Sequence, residues 1–150
     1  MEAPPELEGH LRTLAESVGY RVITLTAGTR AIYHVSTNYS ASFLLSLLRE
    51  ACDIWNGFGV SDEDALTALL PLARGALKAA GAKGLAGAIA GPISRGDLNV
   101  VRAHLGSFKG IGDDAVEFYR VLAHRQIRLA RDKGELNAEI ISRLEEAIDS

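Results

Sequence analysis

The sequence predicts a mainly α fold, a multi-helix bundle with one short strand near its start. Three observations lead there. Apolar residues recur at three- and four-residue spacing through most of the chain. Glycine and proline punctuate those periodic stretches. Only "YRVITLT", residues 20–26, is rich in β-branched residues and bounded by glycine and "AGT", as a strand would be.

Taken in order, Pro4 and Pro5 open an amphipathic helix over about 5–18, with Leu7, Leu11, Leu14 and Val18 along one side, and Gly19 stops it. The strand follows. A lone strand has no partner for its backbone N–H and C=O groups, so it must lie at a surface or belong to a sheet outside this chain. Residues 29–57 then read as one long helix closed by Gly57 and Gly59. Ser61 caps the next helix, whose first turn carries Asp62, Glu63 and Asp64, and Pro71 is expected to kink it before it ends near residue 80. A short helix at 83–89, another from about 97 to 106, one from Asp113 or Asp114 to about 133, and a last one capped by Asn137 complete the chain.

The 150 residues suffice for one domain burying about 68–70% of its unfolded surface. The 16 basic and 19 acidic residues are interspersed, which argues against a nucleic-acid partner, for which a clustered basic face is the mark. "RQIRLARDK" falls at the carbonyl end of its helix and reads as a solvated face. The one cysteine, Cys52, cannot form an internal disulfide and reads as a buried, inert thiol. No apolar run is long enough to span a membrane and no signal peptide opens the chain, so the expected location is the cytoplasm. His10, His104 and His124 fall on separate helices and support no metal site.

Two constellations carry chemistry. On the long helix, His34 and Asn38 lie four residues apart and Ser42 one turn further, on one face, within a half rich in Ser and Thr. An imidazole and an amide on one face can position a carbonyl or hydroxyl and move a proton. The same pattern fits a hydrogen-bonded interior histidine, the commoner case for spacing alone. In "GPISRGD", residues 91–97, Gly91-Pro92 breaks the chain, Gly96 permits a special backbone conformation, and Asp97 or Ser94 caps the following helix. Arg95 is left either to hold a carboxylate or phosphate or to pair with Asp97 or another acid. Three residues reading "RGD" are too weak a signal for cell adhesion.

"RAIYHVSTNYSASFLLSLL", "DALTALLPLARGAL" and "AGAIAGPISRGDLNVVRAHL" together resemble the C-terminal helical domain, catalogued as DUF2520, of two-domain bacterial oxidoreductases, over roughly residues 29–130. That domain is similar to the C-terminal domains of 6-phosphogluconate dehydrogenase-like and ketopantoate reductase-like enzymes. The resemblance implies that residues 1–28 are a helix-and-strand remnant of a Rossmann domain and residues 29–150 the helical domain. It implies a substrate-side, homodimerising part of an NAD(P)-dependent oxidoreductase, inactive alone, with its Rossmann domain supplied in cis or in trans. His34 and Asn38 take the spacing of the Lys-xxx-Asn pair that related hydroxyacid dehydrogenases turn toward the nicotinamide. That implies His34 as acid/base and Asn38 as substrate hydrogen bonder. Arg95 and Asp97, which match the family's RGD, and Ser42 are further expected substrate contacts, their roles not fixed by the match. At Ala41-Ser42 the chain departs from the serine–asparagine pair of many relatives. NAD(P) is then the cofactor of the complete protein, with none expected for this chain alone. The alternative is a stand-alone helical module for oligomerisation or small-ligand binding.

Overall fold

The computed structural model describes residues 3–108, 111 and 113–150. It is mainly α: α1 (Pro5–Ser17), α2 (Arg30–Ser40), α3 (Ser42–Asn56), α4 (Asp62–Ala88), α5 (Pro92–Arg95), α6 (Leu98–Ser107), α7 (Asp113–Lys133) and α8 (Ala138–Asp149). The chain divides into two units, Met1–Leu47 and Leu48–Ser150. No described helix is long and apolar enough to cross a membrane.

In the first unit, α1 starts on its proline pair, as expected, and ends where Gly19, at φ +85°, turns the chain back. The expected strand does not form. Residues 20–26 carry no regular structure, and no strand occurs among the described residues. A β-ladder needs a second extended segment, and the rest of the described chain is helix and turn. The segment is tethered instead by side chains: Arg12 Nη2 donates to Thr24 Oγ1 at 2.6 Å, and Thr24 Oγ1 donates to Glu8 Oε1 at 3.1 Å. None of the described residues of this unit is buried.

The single long helix expected over 29–57 is two helices. Ala41, at φ −125° and ψ −76°, leaves helical geometry between α2 and α3. The preceding turns explain why a break falls here. Ser36 Oγ donates to the Tyr33 carbonyl at 2.6 Å, Thr37 Oγ1 to that of His34 at 2.8 Å, and Ser40 Oγ to those of Ser36 and Thr37. Hydroxyls returned to carbonyls three and four residues back compete with the ladder and bend helices.

The second unit holds the core. Ile93, Val101, Ala123, Ile127, Ala130, Ile141, Leu144 and Ile148 bury one another between α5, α6, α7 and α8. Cys52 is buried at 4% exposure, as its apolar neighbours suggested. Caps fall where the sequence placed them. Ser61 Oγ accepts from the Asp64 N–H at 3.2 Å, and Asn137 Oδ1 accepts from that of Ile140 at 2.9 Å. In α4 the dihedrals stay helical through Pro71, and the break falls at Gly84 (φ +71°, ψ +172°) rather than at the proline. Glycine tolerates that conformation, whereas a side chain would strain it. The far end of α8 is fastened to α7: Arg120 Nη1 donates to the Ile148 carbonyl, and His124 Nε2 lies 2.8 Å from Asp149 Oδ1. A cationic donor such as Arg120 on a terminal carbonyl suits the helix dipole.

Candidate functional site

Each group of expected site residues lies within one unit: His34, Asn38 and Ser42 in the first, Arg95 and Asp97 in the second. His34 and Asn38 stand on successive turns of α2, and both are exposed. The interior-histidine reading is therefore set aside: His34 is exposed, and its ring meets the edge of Tyr33, with centroids 6.4 Å apart. No hydrogen bond engages either side chain among the described residues, while Ser36, Thr37 and Ser40 beside them turn their hydroxyls onto their own helix. The helix thus satisfies its small polar residues internally and leaves one imidazole and one amide to work outward. Ser42 does not continue that face. It is the first residue of α3, beyond the change of direction at Ala41, so helical spacing no longer relates it to His34.

The "GPISRGD" stretch is a compact turn whose residues are nearly all accounted for by backbone chemistry. Gly91, at φ +98°, precedes the single turn α5, and Ser94, buried, donates to the Gly91 carbonyl at 3.1 Å. The Asp97 N–H reaches the Pro92 carbonyl at 2.9 Å and the Gly96 N–H that of Ile93 at 3.2 Å, closing a Schellman turn with Gly96 in the left-handed conformation. A Cβ on Gly96 would come 2.7 Å from Ile140 Cγ2, so both dihedral and space demand glycine. Asp97, not Ser94, caps α6, its Oδ1 accepting from the Val100 N–H at 3.2 Å. That bond commits the Asp97 carboxylate to structure. Arg95 is exposed at the C-terminal end of α5, and no acid pairs with it among the described residues. The local ion pair with Asp97 that the sequence allowed is therefore absent, and the guanidinium is open to an outside anion.

Several other titratable groups are engaged. Arg49 grips Asp53 at 2.6 Å and Asp62 at 2.7 Å, linking the end of α3 to the start of α4. Hydrogen bonding to Arg49 holds the Asp62 carboxyl below its ordinary range, and the two carboxylates, Asp62 foremost, raise the guanidinium further above its own. His10 approaches the Glu6 carbonyl at 3.2 Å, and His104 Nδ1 lies 3.0 Å from the Tyr119 hydroxyl. Sequence spacing missed the His104–Tyr119 pair, because fifteen residues separate its members and only the packing of α6 and α7 joins them. No group of three or more His, Cys, Asp or Glu among the described residues could share a metal ion.

No curated protein matches the chain. No solved structure matches it either. A domain of unknown function, DUF2520, matches residues 1–126, a span that includes α1 through α6 and the greater part of α7. The chain belongs to the DUF2520 family.

Proposed function

We propose that this chain is the substrate-side and dimerising part of an NAD(P)-dependent oxidoreductase, a bundle of the 6-phosphogluconate dehydrogenase C-terminal-like type. On this reading residues 1–28 are the edge of a Rossmann domain supplied in cis or in trans. The observation that carries it is the exposed His34–Asn38 face of α2, two groups able to move a proton and hold an oxygen, neither satisfied by its own unit. His34 gives or takes a proton at the substrate's carbonyl or hydroxyl oxygen, and Asn38 holds that oxygen in place. Arg95 receives an anionic group of the substrate. The bound NAD(P) supplies hydride transfer. The sequence has no strand–GxGxxG–helix to cradle a pyrophosphate, so the residues present fit only the reacting end of the cofactor.

The test has two arms. Titrated with NADPH, the 150-residue chain should show no tight binding, and tight binding would overturn the reading. In the protein completed by its nucleotide-binding domain, His34→Ala should lower kcat by roughly 10²–10⁴-fold with little change in Tm. Unchanged turnover would remove His34 from the chemistry.

A second reading, a stand-alone association module, is favoured by the first unit's exposed Ile32, Tyr33, Tyr39 and Phe43. Deleting residues 1–28 separates the two. Loss of association supports the module, and a folded dimer supports the oxidoreductase part.

A further inference from the structure

We propose that α6 and α7 hold a binding pocket for a small uncharged aromatic ring, independent of the reading above. A cavity of about 240 Å³ lies within the second unit, lined by Ile54, His104, Ser107, Phe108, Ile111 and Tyr119. Its size selects one ring: an apolar cavity of about 150 Å³ takes benzene, whereas drug-sized ligands need roughly 300 Å³ or more.

The wall is carbon because its polar groups satisfy one another. Tyr119 Oη lies 3.0 Å from His104 Nδ1, and Ser107 Oγ donates to the Ala103 carbonyl at 2.7 Å. Burial raises the Tyr119 pKa, so its hydroxyl keeps its proton beside Nδ1 of the imidazole. Against this mostly apolar wall a charged ligand would give up part of its hydration for little in return. A ring loses nothing of the kind.

The lining also favours an aromatic ring over an aliphatic one. His104 and Tyr119 meet edge-on, with centroids 6.0 Å apart and planes at 82°, and Phe108 lies 5.4 Å from Tyr119 at 53°. Rings set at such angles offer faces and edges to a further ring, the arrangement aromatic pairs prefer.

The experiment is a titration of the isotope-labelled 150-residue chain with toluene, followed by amide chemical shifts, with methylcyclohexane as the aliphatic comparison. Saturable shifts confined to Ile54, His104, Ser107, Phe108 and Tyr119, weaker with methylcyclohexane, are expected. Ser107→Phe, which fills the cavity, should weaken toluene binding by about tenfold or more. Should that variant not fold, Phe108→Ala removes one ring from the wall and should weaken binding in the same direction. Absence of saturable shifts up to the solubility of toluene overturns the proposal. So do shifts spread along the whole chain, or shifts that follow protein concentration instead of toluene, the sign that a second copy seats a side chain there.

Discussion

In α8, Ile141, Leu144, Ala147 and Ile148 are all buried, whereas in α2, Ile32, Tyr33, Val35 and Tyr39 are all exposed. Both helices are amphipathic by sequence, and both repeat apolar residues at helical spacing. The difference lies in what each meets. Helix α8 packs on α6 and α7, which supply facing apolar side chains at Val101, Ala123, Ile127 and Ala130. Within the first unit α2 has only α1, the tethered segment and the start of α3, and none of the described residues there is buried. Amphipathicity says that a face needs a partner; it does not say that the partner lies in the same unit.

The comparison breaks most visibly at the core. Leu144→Ala should cost about 2–5 kcal/mol, read as a lower midpoint in urea or thermal unfolding. Ile32→Ala, equally apolar in sequence, should leave the midpoint within about 0.5 kcal/mol and act instead on association, read by sedimentation. Equal costs at the two positions would erase the distinction.

The 91–97 turn sharpens it on a smaller scale. Gly96→Ala should cost about 1–3 kcal/mol, since it meets both the left-handed dihedral and Ile140. Asp97→Ala should cost about 1 kcal/mol for the lost cap, while Arg95→Ala should change unfolding by less than about 0.5 kcal/mol. If Arg95→Ala proved as costly as Asp97→Ala, the arginine would be part of the turn and not open to an anion.

The smallest effect is electrostatic. The Asp62 carboxyl is held below its ordinary value by Arg49, so its contribution is fully present above that value and is lost as pH falls through the folded one. Wild type should therefore lose its advantage over Asp62→Asn as the pH falls below about 4. Added salt should narrow the gap at neutral pH, because both partners are exposed. A gap that widened with acid would contradict the assignment.

Much of this was legible in the chain. Ser61 and Asn137 read as caps, and Asp97 as one of two candidates with Ser94, because a side-chain oxygen ahead of a periodic run has one strong use there; Ser61, Asn137 and Asp97 serve it. That residues 20–26 form no strand was not legible, because β-propensity reports a side chain's fit to a sheet and not whether a sheet exists. The break at Ala41 was hidden for a related reason: serines and threonines in a helix look compatible with it until their hydroxyls turn back on the carbonyls. Proline at position 71 looked like the weak point of α4, yet the dihedrals yield at Gly84, whose lack of a side chain opens that conformation. The candidate site was half legible. Spacing placed His34 and Asn38 together, but only the fold distinguishes an exposed imidazole from one satisfied in a core, and only it shows Ser42 beyond a break and Asp97 committed to a cap.

The claim on which the functional reading rests is that His34 and Asn38 are not structural, and thermal unfolding of His34→Ala and Asn38→Ala in the 150-residue chain tests it most directly. Exposed side chains without hydrogen bonds predict Tm values within about 2 °C of wild type for both variants. A fall of about 5 °C or more in either would show that the side chain holds the fold together, and the outward-facing pair would no longer stand as a site.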